Sequence, residues 1–405
     1  MTDRHLSRTA AGVPLAELAV RFREMDTGGW TEDGARALVE GLGRRWDEVM
    51  VQAPAGRAET VAGATGGATP GDLRLRPVGP AEERYVEKVT YLELVASVTA
   101  TAPEPGSASE QPGSAPEEPG SASEEPGSAP APETQPATVG ESASDAVWQA
   151  QRFRAAGDEL TDALGEPSAI GSYGSLGPYY ATTPAWGAPF LRWRGRRDTL
   201  ELRAGDRGPE LVLAPTAPFE NWLWSLGHGE EHAISGYFGS RPGPANAGLS
   251  LPGRWSAQSW ETLTDALAAF FTTLPAEFAA LGIARVIPVY GRVGGSAPLL
   301  FDIDADHRLM LASYAEDDID PASLGWGTVA EHPMSRDTWQ DAYEPRWRFD
   351  AGGPGEPRGR TLAEMVVATA RAEGVASPDD LLIGGEGEDI RPYTVRFYGL
   401  GLATV

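Results

Sequence analysis

Between Pro105 and Pro132 the chain repeats a seven-residue unit: PGSASEQ, PGSAPEE, PGSASEE and PGSAPAP. A period of seven suggests a coiled coil only until the residues are read. No position of the unit holds a large apolar side chain, and proline recurs in every copy, so neither a helix nor a heptad seam can form. Residues 101–141 carry eight glutamates and no lysine or arginine. A stretch with nothing to bury and one sign of charge is expected to be a disordered, acidic tether. Any core must come from the flanks, and all twelve tryptophans lie there.

Both flanks carry folding signals. Leu15, Leu18, Ala19 and Phe22 follow Pro14 at helical spacing. Leu38, Leu42, Trp46 and Val49 mark a second amphipathic helix from Thr31, a fitting N-cap, to about Met50. Leu73–Arg76 and Tyr85–Val98 read as strands. After the repeat, Ala146–Leu164 is helical and is stopped by Gly165 and Pro167. Phe190–Arg194, Thr199–Arg203 and Glu210–Ala214 follow as strands with short connections, which suggests antiparallel hairpins. With strands before the repeat and a meander after it, the repeat reads as an insertion within one domain.

The second half has the same grammar. Leu263, Leu267, Phe270, Phe271 and Leu274 share one helix face within Ser256–Leu281; Pro275 can open a further turn and Gly282 can end it. Strands are expected at Arg285–Val293, Pro298–Ile303, Arg308–Tyr314 and Arg391–Leu402. Thr361-x-x-Glu364 reads as a capping box for a helix closed by Gly374. The expected fold class is α+β, with two small domains, each an antiparallel sheet backed by helices. The first spans 12–225, interrupted by the Pro/Gly/Glu-rich insertion at 101–144; the second spans 226–405.

Charge narrows the partners. The 405 residues hold 58 acidic and 33 basic side chains, a formal charge of −25. That argues against nucleic acid and anionic membrane surfaces, both polyanions. Cysteine is absent, which removes thiolate metal sites and a cysteine nucleophile. No apolar run follows Met1-Thr2-Asp3-Arg4-His5 and none is long enough to span a bilayer, so a cytoplasmic protein is expected.

Few motifs point to chemistry. His228-Gly229-Glu230-Glu231-His232 fits H-x-x-E-H, which would place His228, Glu231 and His232 around zinc if it were helical. Gly227 and Gly229 work against that helix, and a polar loop is the plainer reading. Asp302-Ile303-Asp304-Ala305-Asp306 starts like a calcium loop, but His307 stands where glycine is needed and Ser313 where glutamate is needed. As a strand, it turns Asp302 and Asp304 to solvent, opposite Leu299, Phe301 and Ile303. The glycine clusters match neither a dinucleotide fingerprint nor a phosphate loop, so no cofactor is expected.

What remains is surface. Glu316-Asp317-Asp318 lies close in sequence to Asp302, Asp304 and Asp306, and together they suggest one negative patch. Solvated acid runs are common, yet such a patch also suits a basic partner. Trp326, just beyond, adds a candidate anchor, although tryptophan is more often core.

One resemblance rests on the helix ending Leu164-Gly165-Glu166-Pro167, then Trp193, Leu200-Glu201-Leu202 and Leu211-Val212-Leu213. Over roughly residues 12–225 this order resembles small α+β domains of high-GC bacteria of the polymorphic-toxin immunity protein type. The resemblance implies a protein that neutralises or escorts a basic partner, here a toxin. Two other readings stay open: a metal-dependent hydrolase built on His228, Glu231 and His232, and a scaffold spaced by the acidic tether.

Overall fold

The computed structural model describes residues 8–9, 14–42, 50–51, 73–78, 91–99, 139–174, 184–205, 208–220, 238–241, 257–294, 296–305, 308–314, 319–328, 347–354, 358–384, 394–397 and 400–404. Within them the fold is α+β, two largely antiparallel sheets with helices. The repeat lies outside the described residues.

The first sheet is built from β1 (Arg8–Thr9), β2 (Met50–Val51), β3 (Leu73–Val78), β4 (Tyr91–Thr99), β5 (Ala169–Ser172), β6 (Pro189–Arg194), β7 (Asp198–Gly205), β8 (Gly208–Pro215) and β9 (Phe238–Arg241). The second contains β10 (Arg285–Gly291), β11 (Leu299–Ala305), β12 (Leu309–Ser313), β13 (Gly327–Thr328), β14 (Trp347–Gly352), β15 (Leu381–Ile383) and β17 (Ala403–Thr404). β16 (Thr394–Phe397) leaves the second half and pairs with β9 at the edge of the first sheet, giving the order β16-β9-β5-β6-β7-β8-β4-β3-β2, with β1 on β4. The second sheet runs β13-β14-β12-β11-β10-β15-β17.

Two expectations about organisation meet this topology. β4, before the repeat, pairs with β8, after it, so the insertion interrupts one sheet. The boundary expected at 225/226 is crossed, because β9 and β16 come from beyond it and extend the first sheet through β5.

One helix bridges the two sheets and others pack against it or against the first sheet. α1 (Leu15–Glu24), α2 (Glu32–Gly41), α3 (Val139–Leu164), α4 (Trp260–Leu281) and α5 (Gly359–Ala372) are the long ones. α1 buries the expected Leu15, Leu18, Ala19 and Phe22, and Thr31 caps α2 by accepting from the Gly34 amide at 3.1 Å. α3 packs on β7 and β8, and Gly157 lets it approach closely: a Cβ there would sit 2.6 Å from Leu191 Cδ1. α4 is apolar almost all round and touches β5 and β6 of one sheet, β11 and β12 of the other, and both α3 and α5. One continuous apolar core results, running from Leu15 to Leu400.

The boundaries differ in instructive ways. α3 starts at Val139, soon after the last proline of the insertion region, inside the span expected to be disordered. α4 runs unbroken through Pro275 and ends at Gly282 in the left-handed conformation (φ 65°). α5 begins at Gly359, so Thr361 is inside the helix and its expected capping box is not formed; the box is made by Ser377 and Asp380 instead. The halves share a plan: α3 precedes four neighbouring strands, β5-β6-β7-β8, and α4 precedes four more, β10-β11-β12-β14.

Candidate functional site

Strand alternation gives the first sheet two unlike faces. Leu94, Leu191, Trp193, Leu200, Leu202, Leu211 and Leu213 belong to the core. The alternate positions hold Arg76, Glu93, Arg192, Glu201, Arg203 and Glu210, all at most 7 % exposed. Register lines them up: Arg76 is opposite Glu93, Arg192 opposite Glu201, and Arg203 opposite Glu210.

These groups neutralise one another. Arg203 Nη2 donates to Glu93 Oε1 at 2.5 Å, and Arg76 Nε donates to the same oxygen. Arg76 also stands 3.8 Å from Glu210. Arg192 Nε donates to Glu201 at 2.8 Å, while its Nη2 donates to the Tyr173 hydroxyl, which itself donates to Glu201, both at 2.8 Å. Burial opposes ionisation of Glu93, but Arg203 and Arg76 outweigh it and hold its carboxyl below the ordinary value. Glu93 held this way is a weak base, and the cluster forms an ionic network across β3, β4, β6, β7 and β8.

The second sheet repeats the theme. The Tyr314 hydroxyl donates to Asp302 at 2.6 Å. Burial raises the Asp302 pKa, partly offset by that hydrogen bond; burial and the same carboxylate raise Tyr314. This corrects the expectation that Asp302 faces solvent: it is 5 % exposed, because β11 is covered on both faces there. Trp326 is also withdrawn from the surface. It is 3 % exposed, stacks on Phe301 with centroids 6.0 Å apart, and donates to Thr369 at 2.8 Å. Neither residue is placed to meet a partner.

The remaining expected positions are partly in view. Asp304 sits in β11 opposite Val286 and Met310. Asp306, Glu316, Asp317 and Asp318 lie outside the described residues, as do His228, Glu231 and His232. Among the described residues no group of three His, Asp or Glu side chains is gathered to hold a metal ion. No described helix is long and apolar enough to cross a membrane.

Comparison with known families, curated proteins and solved structures finds no match to this chain. The residues themselves therefore carry the functional argument.

Sequence reasoning missed Glu277. It is fully buried on α4, where its Oε1 accepts from the Ser172 hydroxyl at 2.5 Å and the Ala188 amide at 2.9 Å. Burial pushes its carboxyl up to about 7, against the pull of hydrogen bonds from Ser172, Ala188 and Thr273. No sequence signal marked it, because a single glutamate between Ala276 and Phe278 looks like an exposed helix position.

Counting the buried charges is informative. Five buried arginines (Arg76, Arg152, Arg192, Arg203 and Arg348) are matched in number by five buried carboxyl groups (Glu93, Glu201, Glu210, Glu277 and Asp302). The described interior thus carries no net negative charge. The whole excess of −25 belongs to residues that are more exposed or outside the described set.

Proposed function

We propose that this chain is an acidic, cytoplasmic binding protein that neutralises or escorts a basic protein partner, in the manner of a toxin immunity protein. The charge balance of the interior carries this reading. Because buried arginines match buried carboxylates in number, the described interior takes up none of the negative excess, which remains available to attract a cationic partner. A net-negative surface speeds encounter with a basic partner and disfavours acidic ones. Occlusion is then steric and electrostatic and needs no catalytic group.

Contact is proposed through Asp304 and through the acidic positions Asp306, Glu316, Asp317 and Asp318; Asp302 and Trp326 are no longer part of it. The test is affinity capture from the host under rising salt, followed by titration of the purified partner. A basic protein released by salt, and weakened by reversing those five charges, supports the reading. A partner indifferent to both, or stoichiometric metal with hydrolytic activity, overturns it.

A further inference from the structure

Helix α4 is the element that joins the two sheets, and its seat on the first sheet is built around one carboxyl group. Glu277 reaches between Ser172, at the end of β5, and Ala188, just before β6. Gly187 makes room for it: the residue has φ +133°, and a Cβ there would lie 2.4 Å from Glu277 Cγ. Ser172 is itself held, accepting from the Gly174 amide at 3.0 Å. One oxygen of the carboxyl is therefore well served. The other, Oε2, is buried without a hydrogen-bond partner.

We propose that Glu277 is a proton-operated latch: neutral, it holds α4 against β5 and β6; ionised, it loosens that seat. A neutral carboxyl leaves no bare charge on Oε2, and Ser172 can exchange donor for acceptor across the same short contact. An ionised one places charge in a site closed to solvent, where Oε2 has no hydrogen-bond partner among the described residues, and a low-dielectric site strongly disfavours that.

Nearby charges do not supply the missing compensation. β5 and β12 bear no charged side chain; β6 offers Arg192 and Arg194, and Arg192 is engaged by Glu201 and Tyr173. β11 offers Asp302 and Asp304, and α5 offers Arg360, Glu364 and Arg371, the first two pairing with each other at 3.2 Å. On α3, Arg154 pairs with Asp158 at 3.0 Å. None of these contributes a charge effect at Glu277, where only burial and three hydrogen bonds act.

The latch goes beyond the binding reading and does not depend on it. Its test is denaturant unfolding of the full chain at pH 5 to 8, wild type against Glu277→Gln. With the carboxyl neutral when seated and ionised when released, raising pH favours release. The wild-type unfolding constant, relative to the variant, is expected to rise about tenfold per pH unit between about 5 and 6.5 and to level off above 7. Parallel curves overturn the proposal. Should Glu277→Gln fail to fold, carboxyl carbon NMR on the wild type decides. A buried glutamate titrating near neutrality, moved higher by Ser172→Ala, supports the latch; one titrating below pH 5 ends it.

Discussion

Arg203 on β7 reaches past β8 to donate to Glu93 on β4, 110 residues earlier in the chain. The contact joins the segment before the repeat to the segment after it. Glu93 serves two arginines at once, so its removal leaves Arg203 and Arg76 with longer contacts of 3.8 Å, to Glu201 and to Glu210. Glu93→Ala is expected to destabilise by about 3–5 kcal/mol, the usual scale for breaking a buried ion pair by removing one partner. A double-mutant cycle with Arg203→Met should show coupling above about 1 kcal/mol. Denaturant midpoints read both effects, and additive losses would mean that the pair is incidental.

Trp326 is expected to matter for folding rather than for binding. Trp326→Ala should cost about 3–5 kcal/mol, as for other large-to-small aromatic changes in cores. Trp326→Phe keeps most of the packing on Phe301 and loses the hydrogen bond to Thr369, so about 1 kcal/mol is expected. Partner affinity, measured on the folded fraction of Trp326→Phe, should be unchanged.

Two of the buried glutamates, Glu93 and Glu277, shape the pH dependence in opposite senses. Glu93 titrates below its ordinary value, so its contribution is present above about 4.5 and is lost as pH falls through its folded-state value. Glu277 titrates near 7, so its contribution is complete below about 4.5 and is lost as pH rises toward 7, amounting to about 3 kcal/mol. Together they favour a stability maximum in mildly acidic solution, near pH 5. Thermal unfolding across pH 3 to 8 measures it, and a maximum above pH 7 would contradict the assignment of Glu277.

Gly187 supplies a steric check on the same seat. Gly187→Ala should cost about 1–3 kcal/mol by overpacking against Glu277. Combined with Glu277→Ala, which removes the colliding atoms, the penalty for the alanine should shrink, leaving mainly the strain at φ +133°. Equal penalties in both backgrounds would place the clash elsewhere.

Periodicity and punctuation made much of the fold legible. The apolar spacing from Leu15 to Phe22 and from Leu263 to Leu274 located two helices, and the meander from Phe190 to Ala214 was readable from its short connections. β5 escaped because Ala169-Ile170-Gly171-Ser172 is short and carries no alternation; burial on both faces decides it. The site was less legible. Asp302 alternates as an exposed residue would, and only tertiary cover buries it. Arg76, Glu93, Arg192, Glu201 and Arg203 have the same alternation as a solvated sheet face, and cross-strand pairing, between neighbours for Arg76–Glu93 and Arg192–Glu201 and past β8 for Arg203–Glu93, makes their burial tolerable.

A chain whose described buried charges balance is proposed to meet a basic protein through its acidic excess. The most direct measurement is calorimetric titration of the captured partner into the full chain at about 50, 150 and 300 mM salt. The expected result is affinity that falls at least about tenfold across that range, as screening weakens charge complementarity. Reversing Asp304, Asp306, Glu316, Asp317 and Asp318 should weaken it further at low salt. Affinity unchanged by salt and by charge reversal would contradict the account.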